Sequence, residues 1–173
     1  MSHPAKYSKE LIPYFLDALS ELQDGSVVFD PMAGENGIRF VAPRLVPVGN
    51  ELEQEWASVN PAMMVQGDAL RPAFRPGFAD AIVVSPTYGN RMADSHNAQD
   101  DSKRNTYTHR LGRKLRPSNS GQMNWGNKYR DFHEKAWPAV LECLRPDGIF
   151  ILNVSNHIRK GVEVDVTGWH VDL

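Results

Sequence analysis

The residues with the clearest chemistry are Ser85-Pro86-Thr87-Tyr88-Gly89-Asn90, which follow an apolar run at 81–84. A proline stiffens such a loop and removes a backbone donor, while its carbonyl can accept a hydrogen bond from an amine. Ser85 offers a second acceptor and Tyr88 an aromatic face. Ligands of open α/β sheets bind at strand ends. The segment therefore reads as a site for an amine-bearing ring, or as a Pro/Gly turn with a packed tyrosine.

Three upstream features accompany it. Val27-Val28-Phe29-Asp30 runs into Pro31-Met32-Ala33-Gly34-Glu35-Asn36-Gly37. Glycines after a first strand let the backbone approach a ligand closely, although a tight turn into a helix uses the same residues. The spacing is not G-x-G-x-x-G, which argues against a nicotinamide enzyme. Glu51 ends a second apolar segment, where an acid suits the two hydroxyls of a ribose or the dipole of a helix start. Asp68 follows a third segment and could accept from an adenine amino group or cap a turn.

Those residues need strands to present them. A helix capped by Ser8 is expected over 8–23, with Leu11, Tyr14, Phe15, Ala18, Leu19 and Leu22 on its apolar face. Strands are expected at 27–29, 46–50, 63–66, 80–84 and 149–154, a short helix before Pro43, and helices at 53–59 and 129–144. A turn is expected at 145–148. Residues 91–126 are polar and without period, too long for an ordinary connection. Strands alternating with helices imply a mostly parallel sheet covered on both faces, in one domain over 1–173 with a polar insert at about 91–126.

Taken in order, these segments resemble the S-adenosylmethionine-dependent amino-methyltransferases, the bacterial and phage-type enzymes that make N6-methyladenine or N4-methylcytosine in DNA. Asp30-Pro31-Met32-Ala33-Gly34 is similar to their cofactor loop, and Ser85-Pro86-Thr87-Tyr88 to their catalytic motif. His3-Pro4-Ala5-Lys6-Tyr7 is similar to the segment preceding their first helix. The resemblance covers essentially the whole chain and implies a Rossmann-like class I methyltransferase fold. It implies S-adenosylmethionine as cofactor, held by Lys6, Tyr7, Asp30, Met32, Ala33, Gly34, Glu51 and Asp68. Ser85, Pro86, Thr87 and Tyr88 would be catalytic. Two departures stand out: Thr87 replaces a second proline, and the second glycine of the loop, Gly37, is shifted one place.

Within the insert, Lys103, Arg104, Arg110, Arg113, Lys114 and Arg116 interleave with Tyr107 and His109. With a formal net charge of −2, any DNA contact must come from such a local patch. Lys103, Arg104, Arg110, Arg113 and Lys114 are the candidate phosphate contacts, with a solvated polar loop as the alternative. Asn153, Asn156, His157 and Arg159 follow the fifth strand near the expected pocket rim. RNA or protein-glutamine methylation, or a nucleic-acid-binding module without turnover, are the competing functions.

Cys143 is the single cysteine, so no internal disulfide or multi-cysteine zinc site is possible, and no metal is expected. No apolar run reaches membrane-spanning length, and a cytoplasmic protein is expected. A complete fold of this family ends in an antiparallel hairpin beside the fifth strand. That hairpin is expected to be lacking, leaving the apolar run Ile149-Phe150-Ile151-Leu152 at an edge, where it could template self-association.

Overall fold

The computed structural model describes residues 7–89 and 106–173. Five strands, β1 (Val27–Asp30), β2 (Val46–Glu51), β3 (Met64–Gln66), β4 (Ala79–Val84) and β5 (Leu144–Leu152), form one sheet in the order β3-β2-β1-β4-β5. Every pairing is parallel. The chain leaves β1 for β2 on one side and later returns to β4 on the other. The switch point therefore lies between β1 and β4, the crevice where such sheets bind ligands.

Val28, Phe29, Ala81, Ile82, Val83 and Val84 are almost completely buried. Alternate side chains of these central strands enter opposite cores. Phe29, Ile82 and Val84 pack with Phe132, Ala136, Trp137 and Val140 of helix α4 (Asn127–Leu141). Val28, Ala81 and Val83 pack with Leu19, Leu22, Ile38, Val41 and Leu45 on the other face. The sheet is covered on both sides, as the sequence pattern implies.

Several elements differ from their expected extents. Helix α1 is confined to Ile12–Ala18, begins at Leu11 without a side-chain cap, and carries proline in its first turn. Pro13 lacks an N–H and suits that first turn, whereas Ser8 turns its hydroxyl to Glu10. Phe15, Leu19 and Leu22 are buried, but Tyr14 and Ala18 face solvent. The helix at 53–59 shrinks to one turn, α2 (Gln54–Ala57). The turn expected at 145–148 lies inside β5, where the pairing steps from Ala79↔Leu144 to Ala81↔Ile149 and the extra residues bulge out.

The largest difference is in the insert. Residues 106–126 carry helix α3 (Tyr107–Leu111), capped by the Thr106 hydroxyl, and a 3-10 turn at Ser120–Gln122. Tyr107, Leu111 and Leu115 bury themselves with Trp56 in a third apolar cluster. Spaced four apart, these three residues give too narrow a stripe to stand out in a polar stretch.

A small antiparallel hairpin, β6 (His157–Arg159) with β7 (Val162–Val164), follows β5 as a separate sheet. It does not extend the main sheet, so among the described residues β5 remains an edge strand. Its residues 149–152 are half-buried rather than enclosed. Helix α5 (Val166–Asp172) closes the described chain. Among the described residues no helix is long and apolar enough to cross a membrane.

Ile82 sits at the centre of the sheet and is fully buried. Ile82→Ala is expected to lower unfolding free energy by about 2–5 kcal/mol through lost burial and a residual cavity. Denaturant titration of both proteins measures it.

Candidate functional site

The carboxyl ends of β1 and β2 deliver two buried acids. Asp30 is 2% and Glu51 6% exposed. Asp30 Oδ1 accepts from the Met32 N–H at 2.9 Å, and Oδ2 accepts from the Tyr7 hydroxyl at 3.1 Å. The same hydroxyl is 3.3 Å from the Val83 carbonyl, so Tyr7 fastens the end of β1 to β4. Glu51 Oε2 accepts from the Gly34 N–H and Oε1 from the Glu53 N–H, both at 2.9 Å.

The loop after β1 is held from both sides. Ala33 N–H donates to the Asn50 carbonyl at 2.9 Å. The Asn50 amide donates to the Pro31 carbonyl at 3.1 Å and the Gly67 carbonyl at 3.2 Å. Gly34 has φ 56° and Asn36 φ 62°, the left-handed region that glycine and asparagine tolerate best. The shifted Gly37 has its own reason: a Cβ there would lie 2.8 Å from the Tyr7 ring.

A cleft, partly open to solvent, runs along these strand ends. Pro31 and Met32, Glu51 and Leu52, Gly67 to Ala69, and Ser85 and Thr87 line it from four strands. Trp56, Tyr107, Phe132 and the segment 118–120 complete it. Asp68 reaches the cleft, and its Oδ1 accepts from the Leu70 N–H at 2.9 Å. It thus caps a turn while facing the cavity.

The loop after β4 forms a small network. Ser85 Oγ and the Tyr88 hydroxyl are 3.0 Å apart, and Pro86 is buried. Thr87 Oγ1 donates to the Ser120 carbonyl at 3.1 Å, tying the loop to the insert. A second proline could not make that bond. Trp125 N–H donates to the Gly89 carbonyl at 2.9 Å. Asn153, at the end of β5, donates to Ser85 Oγ at 3.2 Å and to the Tyr88 hydroxyl at 3.4 Å. Ser85 and Thr87 line the cleft; the Tyr88 hydroxyl turns back onto Ser85.

Of the basic candidates, Lys6, Lys103 and Arg104 lie outside the described residues. Arg110 and Lys114 are exposed. Arg113 is otherwise engaged: its guanidinium grips Glu53 at 2.8 Å and Glu55 at 2.5 Å. The expectation that it meets phosphate has to be set against this clamp.

Glu53 is the residue that sequence reasoning missed. It is fully buried. Besides Arg113 it accepts from the Arg116 N–H at 2.8 Å and the Asn119 amide at 2.9 Å, so one carboxylate anchors the cleft's outer wall. Its partners lie some sixty residues away, and no local pattern announces them. Among the described residues no cluster of three His, Cys, Asp or Glu could hold a metal ion.

Burial pushes Asp30 and Glu51 up to about 7 from ordinary values of 3.8 and 4.5, against the backbone N–H groups that favour their charged forms. Burial likewise pushes the Tyr7 phenol up, with the Asp30 charge adding to it.

The all-parallel order and the switch point define a Rossmann-like α/β fold. No family model matches the chain, and no curated protein matches it. Solved structures do. The PH0226 protein of Pyrococcus horikoshii is similar at TM-score 0.54 and 13% identity, over 84% of this chain and 55% of its own. A protein of Anabaena variabilis, described as a methyltransferase of an antibiotic biosynthesis pathway, gives 0.53 and 14%, over 88% and 48%. One from Methanococcus maripaludis, described as S-adenosyl-L-methionine-dependent, gives 0.50 and 8%, over 88% and 55%. The chain spans about half the length of these structures, and the likeness is one of fold.

The two raised acids predict a pH dependence. Both bind protons more tightly folded than unfolded, so folding takes up protons between about pH 4 and 7. Their contribution to stability is therefore largest at acid pH and is lost as pH rises through about 7. Asp30→Asn is expected to flatten that decline, measured by denaturant unfolding at pH 5 and pH 8.

Proposed function

We propose that this chain is an S-adenosylmethionine-dependent methyltransferase acting on an exocyclic amino group of a DNA base. One observation carries the reading: a single cleft joins the acids of β2 and β3 to Ser85 at the end of β4.

The residues fit the cofactor. Each Glu51 oxygen has one backbone N–H and keeps a lone pair for a ribose hydroxyl. Asp68 keeps Oδ2 for an amino group. Met32, Leu52, Ala69 and Phe132 offer apolar surface, and buried acids nearby favour a positively charged ligand. When bound, the cofactor supplies an electrophilic methyl group on a sulfonium sulfur.

An exocyclic amine is a weak nucleophile because its lone pair is delocalised into the ring. Ser85 Oγ and the Pro86 carbonyl would accept its N–H bonds and support the positive charge that develops on nitrogen, a stabilisation directed at the transition state. The bound cofactor would supply the methyl group, and the amine would accept it while Ser85 and the Pro86 carbonyl hold its N–H bonds. The nitrogen then loses a proton to water. A base taken from a duplex must flip, at a few kcal/mol. The Tyr88 ring lies outside the lining of the cleft and would have to turn towards it to stack on the base and return about 1–3 kcal/mol of this. Thr87 holds the loop through Ser120, which supplies some of the rigidity of a second proline.

Tritiated S-adenosylmethionine with unmethylated DNA, followed by nucleoside analysis, tests the reading. Labelled N6-methyladenine or N4-methylcytosine is the expected product. Label found only in RNA or in glutamine would reassign the substrate, and binding without transfer would mark a binding module. Glu51→Ala is expected to weaken cofactor binding by about 1.5–3 kcal/mol, the scale of hydrogen bonds to a charged group. Calorimetry on a folded variant with unchanged affinity would overturn the role of Glu51.

DNA binding by the insert should weaken steeply with salt, because phosphate neutralisation releases counterions. Arg113 is clamped by Glu53 and Glu55, and Arg110 and Lys114, both exposed, are the candidates to test. Their joint replacement by alanine is expected to flatten the plot of log affinity against log salt, and an unchanged slope argues against phosphate contact there.

A further inference from the structure

Asn153 stands where the sheet itself, rather than a loop, can steer the Ser85 hydroxyl. Val84 pairs with Leu152 across β4 and β5. The next N–H, that of Asn153, donates to the Val84 carbonyl at 2.9 Å. The parallel ladder thereby sets Asn153 beside Ser85. Its amide nitrogen lies 3.2 Å from Ser85 Oγ and 3.4 Å from the Tyr88 hydroxyl, and those two oxygens are 3.0 Å apart.

An amide nitrogen only donates, whereas a serine hydroxyl carries one hydrogen and two lone pairs. With one lone pair on Asn153, Ser85 either gives its hydrogen to the Tyr88 oxygen or takes one from it. Giving leaves a lone pair free; taking fills both. Of the three residues, Ser85 alone lines the cleft. An amine in the cleft needs an acceptor there, not a hydroxyl hydrogen turned towards it.

We propose that Asn153 is a positioning residue that anchors the Ser85 hydroxyl from the β5 side and keeps its oxygen turned to the cleft; the substrate amine then selects the arrangement in which Ser85 gives its hydrogen to Tyr88 and offers a lone pair. This rests on the methyl-transfer reading above. Asn153 does not touch the substrate in this role; it acts through Ser85. Without it, Ser85 keeps only the Tyr88 contact, and its side chain is free to turn away from the amine.

The test is steady-state methyl transfer to DNA by the wild type and the Asn153→Leu, Asn153→Asp, Ser85→Ala and Ser85→Ala/Asn153→Leu proteins, with cofactor affinity measured by calorimetry. Asn153→Leu keeps the volume and removes the donors. It is expected to lower kcat roughly ten-fold, the scale of one hydrogen bond, with KM and cofactor affinity little changed. Asn153→Asp keeps a hydrogen bond to Ser85 from the same side by accepting its hydrogen, and should recover most of that loss. The double variant should be no slower than Ser85→Ala, because the two residues act as a unit. Wild-type kcat in Asn153→Leu, or additive losses in the double variant, overturns the role of Asn153 while leaving the enzyme reading intact. No transfer by the wild type to any nucleic acid overturns both. Should Asn153→Leu fail to melt cooperatively, Asn153→Ala replaces it, with the same outcomes.

Discussion

A relay of two carboxylates holds the cleft together. Glu51 grips the N–H of Gly34 with one oxygen and that of Glu53 with the other. Glu53 in turn grips Arg113, the Arg116 N–H and the Asn119 amide. The loop after β1, the end of β2 and the insert are thereby linked through side chains two residues apart. Removing one partner of such a buried set leaves charge or donors unsatisfied, and the cost reaches several kcal/mol. The inner wall and the outer wall of the cleft consequently depend on the same short segment.

The two acids of that segment are compensated differently. Glu53 meets a guanidinium. Glu51 and Asp30 meet backbone N–H groups and a phenol, and burial leaves both at about 7. These two acids lie at adjacent strand ends of the sheet, where such perturbed groups are candidates for a functional site. A positively charged ligand would favour their ionised forms, and hydroxyl or amine donors would use the lone pairs they still hold.

At the other end of the cleft, the loop after β4 is shaped by contacts made after it leaves the strand. Thr87 reaches Ser120, Gly89 receives Trp125, and Asn153 reaches Ser85 and Tyr88. Gly89 has φ 65°, and a Cβ there would lie 2.6 Å from the Trp125 nitrogen. Both the backbone conformation and the close approach require glycine. The insert is thus a structural partner of this loop as well as a carrier of positive charge.

Much of this was legible in the chain before any tertiary contact was known. Strand periods and glycine placement marked all five sheet strands, and Asp30, Gly34, Glu51, Asp68 and Ser85 stood at strand ends because strand ends are local features. The local patterns for 8–23 and 53–59 overestimated both helices, since propensity does not say where packing stops. The structure alone revealed Glu53 as an anchor, Arg113 as its clamp, Tyr107 and Leu111 as core, and Asn153 as the neighbour of Ser85. Each of these depends on groups thirty or more residues apart in the chain. Sequence spacing determines which residues a strand delivers to its end; only the folded sheet decides which of them meet.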